Sequence, residues 1–386
     1  MKNNSDYSIK PILFRVISVT LSLFIVFIII EFILRIFPIS GIKMGSTIYD
    51  PEIRLYKFTP NTHYIRTNIR KERIVRRINS EGFMDREHSK IKQKGVYRIG
   101  FFGDSYVEAN QVPLEKTFFR LIEDSLSTSN IEILAFGKSG HGTIHSYLIN
   151  KKYSEYYDLD MVVYVFCEND LGDQIESIKG SPSFPYVELF ENRIEINDDL
   201  LSEYVKKRKI INWLKRYSFY KNSIVLQTIN IRVKMLMQHG IKIFTNQNDF
   251  EMSGKGDINK APNENDLPST WNARYKRQAI LTGETVISKW FEDVRSIGKK
   301  FVILYIPREL VNSYEWKKDN IKQDSWKYWL KTYCSNNQID FIDPTQHFFE
   351  IDSKGVKVYN DHFSEDGHVA FAKAFIEWHK KTKLEN

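Results

Sequence analysis

Residues 97–110 have the sequence YRIGFFGDSYVEAN, in which a short apolar run is followed by a Gly-Asp-Ser turn. The run is rich in β-forming residues and bounded by glycine, and its length favours a buried strand over a helix. Glycine permits a tight turn where that strand ends. Ser105 is then expected at the carboxyl edge of a sheet, where open α/β folds bind ligands. A Gly-Asp-Ser turn standing alone is also consistent with a capped turn that has no chemical role.

Three later segments place polar residues at the same edge of a parallel sheet. Residues 133–143 (ILAFGKSGHGT) and 162–170 (VVYVFCEND) are predicted strands followed by turns, and residues 361–368 (DHFSEDGH) precede a C-terminal helix. Strands that alternate with helices at this spacing indicate βαβ units. With the Gly-Asp-Ser turn, these blocks resemble the four blocks of the SGNH/GDSL hydrolase family, which supply Ser, Gly, Asn and His in this order.

The resemblance implies a three-layer α/β/α domain and one functional residue in each block. Ser105 would be the nucleophile, and His362 would be the general base. Ser105 and Gly140 would each offer a backbone N–H to the oxyanion hole, and Asn169 would offer its side-chain amide. An ester carbonyl suits this apparatus, because a base activates the serine hydroxyl and pre-aimed donors stabilise the oxyanion. The resemblance implies no cofactor.

The acid that should support the histidine departs from the family pattern. In the family it stands three residues before the histidine, and that position here is Tyr359. Asp361, directly before His362, is the first candidate, and Asp343 after the last predicted strand is the second. A Ser-His dyad without an acid is the third option. His368, on the last predicted helix, is a rival base, although packing or capping is its simpler role.

Two further histidines lie near the predicted oxyanion turn. His141 is either a substrate-binding residue or an ordinary surface-loop histidine, and the latter is the simpler interpretation. Its spacing from His145 resembles half of a metal site, but no acid partner is in reach, so the pair does not predict one. The sequence contains no nucleotide-binding loop, cofactor motif or internal repeat.

The amino-terminal part of the chain contains a long apolar run at residues 12–37, after a short tail at 1–11. The run is long enough to cross a bilayer, too long for the core of a signal peptide, and not followed by a small-residue cleavage site. We therefore predict an uncleaved single-span anchor. A slight bias of positive charge places the amino end inside and the rest of the chain extracytoplasmic. The NSEGF segment at 79–83 and residues 31–35 also resemble a membrane-tethered branch of the family.

The rest of the chain is predicted to form a collar at residues 38–95 and a hydrolase-like domain at 96–386. The strand-helix pattern breaks at about 171–270, which we interpret as an insertion. It would contain a hairpin at 186–197, two amphipathic helices within 200–238 and a polar loop. The insertion would act either as a lid that shapes the substrate site or as a docking surface for a protein partner.

The net charge of +8 does not predict a nucleic-acid partner, because the basic residues are spread along the chain. Their separation by apolar residues is typical of solvated helix faces, and the sequence has neither zinc-finger spacing nor an RNA-binding aromatic motif. The basic run at 70–77 is near the anchor and could touch lipid headgroups, although a solvated strand is the simpler interpretation. Cys167 and Cys334 do not form a disulfide framework.

These observations together predict a membrane-anchored serine ester hydrolase. It would form an acyl-Ser105 intermediate and remove small acyl groups, such as acetyl, from cell-surface glycans. Two alternatives stay open: an O-acyltransferase that uses the same residues with a sugar hydroxyl in place of water, and a non-catalytic module of a membrane complex. A serine-directed probe discriminates between these classes, since only an activated Ser105 is labelled.

Overall fold

A computed structural model describes residues 9–37, 43–67, 72–190, 193–229, 273–307, 325–360 and 362–384. The strands are β1 (Lys43–Met44), β2 (Thr47–Asp50), β3 (Leu55–Phe58), β4 (His63–Thr67), β5 (Arg73–Arg77), β6 (Tyr97–Gly103), β7 (Ile131–Gly137), β8 (Met161–Phe166), β9 (Tyr186–Phe190), β10 (Arg193–Asn197), β11 (Lys300–Tyr305), β12 (Asp340–Ile342), β13 (Tyr359–Asn360) and β14 (His362–Phe363).

The α-helices follow the same chain order. They are α1 (Ile9–Ile36), α2 (Ser105–Glu108), α3 (Phe118–Ser125), α4 (Thr143–Tyr156), α5 (Asn169–Asp173), α6 (Glu176–Lys179), α7 (Asp199–Lys207), α8 (Lys209–Leu214), α9 (Ser218–Asn222), α10 (224–229), α11 (Ala273–Ser296), α12 (Ser325–Asn336), α13 (Thr345–Asp352) and α14 (Glu365–Leu384).

The centre of the protein is a five-stranded parallel sheet in the order β12-β11-β8-β6-β7. All six residues of β8 are buried, as expected of a strand that is covered on both faces. One apolar cluster includes Trp290 of α11 and Ile144 of α4, and a second includes Phe118 of α3 and Phe371 of α14. The sheet therefore lies between two helical layers, and the predicted three-layer α/β/α fold is confirmed.

Close packing at the carboxyl ends of β6 and β7 explains the glycines there. A Cβ at Gly137 would lie 2.0 Å from the backbone nitrogen of Glu108, so only glycine lets α2 approach the end of β7. A Cβ at Gly103 would lie 2.8 Å from Cγ2 of Val107. These contacts hold α2, which follows β6, against the ends of β6 and β7.

The NSEGF segment at 79–83 forms a turn that joins the collar strands to the central sheet. The Asn79 carboxamide oxygen accepts a hydrogen bond from the Phe83 N–H at 2.9 Å. Two residues further on, Asp85 Oδ2 accepts one from the Ala135 N–H of β7 at 2.9 Å. Burial raises the pKa of Asp85, but the charges of Arg120 and His88 outweigh it and hold that pKa below its ordinary range.

The segment predicted as an insertion contains the expected hairpin, in which β9 and β10 pair antiparallel. Its helical part differs from the prediction in the first half, where α7, α8 and α9 replace one long helix. The second predicted helix begins at 224 as α10, and residues 230–238 lie outside the described residues. The chain turns at Arg208 and Tyr217, whose backbones are not helical, and these turns divide the first predicted helix. The predicted turn at 191–192 and polar loop at 246–268 lie outside the described residues.

Among the described residues, α1 is the one helix long and apolar enough to cross a membrane by length and composition. Its candidate span, Ile12–Ile36, is not buried inside the protein. The carboxylate of Glu31, near its end, accepts hydrogen bonds from the backbone N–H groups of Ile224 and Val225, each at 3.0 Å. The hydroxyl of Ser223 donates to the same carboxylate at 2.9 Å. The end of α1 therefore caps the first turn of α10.

Candidate active site

Ser105 is presented at the end of β6, as predicted. Asp104 caps the short helix α2, because its Oδ1 accepts a hydrogen bond from the Tyr106 N–H at 2.9 Å. Ser105 is the first residue of that helix and is half-buried. Ala109 then adopts a left-handed conformation with φ of 46° and ends the turn. The hydroxyl thus lies at the carboxyl edge of the sheet.

His362 lies against that serine. Its Nε2 atom is 2.7 Å from Ser105 Oγ, a distance that permits direct proton transfer. His362 begins β14, which pairs with β13 so that Asn360 is opposite His362. The imidazole also contacts the Tyr106 ring, with the ring centroids 4.8 Å apart. For Ser105 to donate its proton, Nε2 must be the unprotonated ring nitrogen.

Asn169 reaches the same corner from the neighbouring strand β8. Its Nδ2 donates to Asp104 Oδ2 at 3.3 Å and to Asp173 Oδ2 at 3.0 Å. The Ser105 hydroxyl lies 3.4 Å from the same Asp104 oxygen, a weak contact. The Asp104 carboxylate therefore contacts both the Ser105 hydroxyl and the Asn169 amide. These are two of the groups that the sequence predicted would act together.

Gly140 lies in the turn after β7 with φ of +77°, in the left-handed region that favours glycine. The Lys179 ammonium of α6 donates to the carbonyl oxygen of Gly140. It also pairs with Asp173 Oδ1 at 3.2 Å. Asp173 therefore connects the Gly140 turn to the amide of Asn169. This connection fixes the turn whose N–H group the sequence predicted to be an oxyanion donor.

Asp104, Asp173 and Lys179 were missed by sequence reasoning as residues of the site. Asp104 was quoted only as part of the Gly-Asp-Ser turn. Asp173 and Lys179 are a charged pair in a segment without a strong periodic pattern. Such pairs are common on protein surfaces, so no sequence signal distinguishes this one. Its contact with Gly140 depends on how α6 packs against a turn 39 residues earlier in the chain.

Burial shifts the pKa of two carboxyl groups near Ser105. Burial raises the pKa of Asp104 to about 6, even though the Tyr106 N–H and the Asn169 amide oppose this shift. Burial, with the nearby Asp104 charge, raises the pKa of Asp170 well above its usual range. The Oδ2 atom of Asp170 accepts hydrogen bonds from the Tyr164 hydroxyl at 2.9 Å and the Cys167 N–H at 3.0 Å, which secures the end of β8.

The interpretation of His141 as a surface-loop residue is wrong, because its side chain is buried beside His145 and Phe184. His145 accepts a hydrogen bond from the Gly142 N–H at Nδ1 (2.7 Å), so its Nε2 donates to the Pro185 carbonyl at 2.9 Å. Burial lowers the pKa of His145 to about 3. A neutral histidine with both ring nitrogens engaged has no lone pair left for a metal.

His368, the rival base, is buried and packs against Phe118. Its Nδ1 accepts a hydrogen bond from the Phe118 N–H at 3.2 Å, and its ring stacks on the Phe118 ring. Burial lowers the pKa of His368 to about 3, so it is a poor proton acceptor at neutral pH. The contact to Ser105 Oγ comes from His362 instead.

The candidates for the acid fall in different surroundings. Asp361 lies outside the described residues, so its role stays a prediction. Asp343 Oδ1 accepts a hydrogen bond from the Thr345 N–H at 3.0 Å, and Oδ2 lies 3.6 Å from Lys327 Nζ, which ties it to the start of α13. Tyr359, at the family's acid position, is buried and donates from its hydroxyl to the Pro307 carbonyl.

No family model matches the chain, and no curated protein matches it. Solved structures do match. They include a member of the lipolytic G-D-S-L family from Veillonella parvula (13% identity, 73% of this chain and 97% of that chain, TM-score 0.36). They also include the acetyl xylan esterase AlAXEase (12%, 72% and 97%, 0.38) and the psychrotrophic esterase EstA from Pseudoalteromonas sp. (12%, 75% and 99%, 0.36).

At these identities and TM-scores the likeness does not by itself assign the chain to a family or an activity. The function proposed below therefore depends on the contacts that this chain makes among its own residues.

Proposed function

We propose that the protein is a serine esterase of the SGNH/GDSL type, held at a membrane by α1, that cleaves acyl esters through an acyl-Ser105 intermediate. The observation that carries this proposal is the 2.7 Å distance between Ser105 Oγ and His362 Nε2. A serine hydroxyl becomes an effective nucleophile when a base within this range takes its proton. A histidine suits the task because its ordinary pKa is near neutral.

The reaction would proceed in two halves. As Oγ of Ser105 attacks the ester carbonyl carbon, its proton passes to Nε2 of His362. The tetrahedral oxyanion would be stabilised by the N–H groups of Ser105 and Gly140 and by the amide of Asn169. Collapse of the intermediate breaks the ester C–O bond, and the leaving alcohol takes the proton from His362. Water then repeats the sequence on the acyl-enzyme, which releases the carboxylic acid and restores the serine.

Membrane anchoring is supported by the end of α1. Glu31 caps α10, and the Arg35 guanidinium donates to the Asn222 carbonyl at 2.8 Å. Removal of α1 as a signal peptide would break these contacts and leave the first turn of α10 uncapped. We propose that α1 is retained, that the catalytic domain is extracytoplasmic, and that the substrate is a small acyl ester, such as acetyl, on a glycan at the cell surface.

The segment 171–270 is proposed to shape the substrate site. Lys179 of this segment contacts Gly140, and Asp173 contacts Asn169. These contacts favour the lid-like role over a purely external docking surface.

The proposal is tested with the full chain in detergent micelles. A fluorophosphonate probe and p-nitrophenyl acetate are applied to wild type, Ser105→Ala and His362→Ala. The controls are Ser296→Ala, an exposed serine of α11, and His347→Ala, a histidine that pairs with Glu377 at 2.9 Å. We expect the two site variants to lose labelling and about 10³-fold or more in turnover, and the controls to retain both.

Two results would overturn the proposal: folded wild type that is not labelled, or Ser105→Ala that is labelled as strongly as wild type. Acetate release from an acetylated polysaccharide tests the proposed substrate class. Adding an acceptor sugar then separates hydrolysis from transfer, because a transferase gives acetylated acceptor in place of acetate.

A further inference from the structure

A cavity of about 590 Å³ lies between the end of α1 and one face of the β4–β5 hairpin. Its walls come from three separate parts of the chain. Among the residues that line it are Arg35 of α1, His63 and Ile65 of β4, Arg73 and Val75 of β5, and Ile224 of α10. None of the residues that line the cavity has a role in the reaction proposed for Ser105.

Strand register explains why this face of the hairpin is open. Ile65 pairs with Val75, and the neighbouring pairs Tyr64–Arg76 and Arg66–Ile74 lie on the opposite face of the hairpin. On that opposite face Tyr64 and Arg76 are buried, and the Arg76 guanidinium donates to the Ala109 carbonyl at 2.7 Å. The inner face is therefore used to dock the hairpin on the core. The outer face leaves Val75 half exposed beside the cavity.

The lining combines positive charge with apolar surface. Arg73 donates from Nη1 to the Arg35 carbonyl at 3.0 Å, which brings a second guanidinium to the end of α1. No carboxylate is among the lining residues, within the part of the chain that the structure describes. Glu31, the nearest acid on α1, is directed at Arg35 and at the first turn of α10. One guanidinium group can donate two parallel hydrogen bonds to the oxygens of a phosphate. The cavity therefore favours a phosphate group over a cation or a neutral sugar.

The position of the cavity identifies the source of the phosphate. The apolar span of α1 ends at Ile36, one residue after Arg35. In a bilayer spanned by α1, this end is at the depth of the lipid headgroups. Ile65, Val75 and Ile224 would then face the glycerol and the first methylene groups of a lipid, for which apolar side chains are suited.

We propose that this cavity binds the headgroup of one anionic phospholipid, whose phosphate is held by Arg35 and Arg73. The site would fix the catalytic domain against the membrane surface, because its walls join the anchor, the collar hairpin and α10. The proposal depends on the membrane anchoring proposed above and is independent of the esterase chemistry.

The test uses the full chain in micelles of a neutral detergent, with bound lipid counted by native mass spectrometry. Phosphatidylglycerol and phosphatidylcholine are titrated separately, and inorganic phosphate is added as a competitor. We expect one phosphatidylglycerol to bind at least about tenfold more tightly than phosphatidylcholine, without displacement by millimolar phosphate. Arg73→Gln should weaken phosphatidylglycerol binding by about tenfold, since it removes a charge-assisted contact.

Arg77→Gln is the matched control. Arg77 lies four residues after Arg73 along β5 on the same face, is largely exposed and is near Glu87 instead of the cavity. Equal losses in Arg73→Gln and Arg77→Gln would indicate a diffuse charge effect and overturn the site. Displacement by inorganic phosphate would assign the cavity to a soluble phosphate instead of a lipid. The circular dichroism spectrum of each variant confirms that it is folded.

Failure of the anchoring itself is distinguishable from failure of the site. The full chain is mixed with vesicles of phosphatidylcholine alone, and flotation is measured. A chain that does not float has no working anchor, whereas a chain that floats but shows no preference for phosphatidylglycerol has the anchor without the lipid site.

Discussion

The Nε2 atom of His362 lies 2.7 Å from Oγ of Ser105, although 257 residues separate them in the chain. Ser105 follows β6, which is the fourth strand in the order of the central sheet. His362 lies in the two-residue strand β14, just before α14. The contact therefore depends on the docking of α14 against α3, where Phe371 packs on Phe118. A change in that packing would separate the nucleophile from its base.

The acid of the proposed triad is tested by a pair of variants. Asp361→Asn should lower kcat for p-nitrophenyl acetate by about 10²- to 10⁴-fold, because an acid partner holds the histidine tautomer and stabilises the imidazolium. Asp343→Asn should lower the melting temperature with little effect on kcat, since Asp343 caps α13 through Thr345. The opposite pattern would make Asp343 the acid, and full activity of both variants would indicate a dyad.

Lys179 is predicted to be a positioning residue. Lys179→Met keeps the length of the side chain but removes the bond to the Gly140 carbonyl, so the oxyanion turn should loosen. We expect kcat to fall by about tenfold with KM nearly unchanged, because the loss concerns transition-state stabilisation. Lys179→Arg should restore part of the activity. Lys289→Met, which breaks the surface pair with Asp293, is the control. A lower melting temperature with unchanged kcat would leave Lys179 a purely structural role.

Asp104 should make stability depend on pH. Its pKa is about 6 in the folded protein against 3.8 ordinarily, so between these values the folded state binds more proton than the unfolded state. The free energy of unfolding therefore falls as pH rises from about 4 to 6 and levels off above, a loss of roughly 3 kcal/mol from this group.

Asp104→Asn should remove this pH dependence while it keeps an oxygen for the Tyr106 N–H. The measurement is the difference in melting temperature between the variant and wild type at pH 4 and at pH 7. Asp352→Asn, an exposed acid of α13, serves as the control. A difference that does not change with pH would show that Asp104 has an ordinary pKa.

Glu31 is predicted to couple α1 to α10. Glu31→Ala removes the acceptor for the Ile224 and Val225 N–H groups, which should cost about 1 kcal/mol of local stability. Hydrogen exchange of the amides at 223–229 should then be several-fold faster. Glu203→Ala, which breaks an exposed pair with Lys207 on α7, should leave that exchange unchanged. Unchanged exchange in Glu31→Ala would show that the cap does not form.

Periodicity and turn chemistry predicted the framework because these are local properties. The continuous apolar run of β8 and the glycines after β6 and β7 are sufficient to indicate buried parallel strands with sharp turns. Order along the chain also indicated that Ser105, Gly140, Asn169 and His362 would gather at one edge. The first predicted helix of the segment at 200–238 was too long, because side-chain periodicity continues through turns that break the backbone.

The sequence by itself determined the α/β/α fold, the apolar anchor candidate and the residue types of the proposed site, since each is encoded in short stretches of the chain. Only the tertiary structure decided that Lys179 holds the Gly140 turn, that His141 is buried, and that Glu31 caps α10. These contacts join residues that are distant in sequence. Their geometry depends on how whole elements pack, and no local pattern of residue types specifies it.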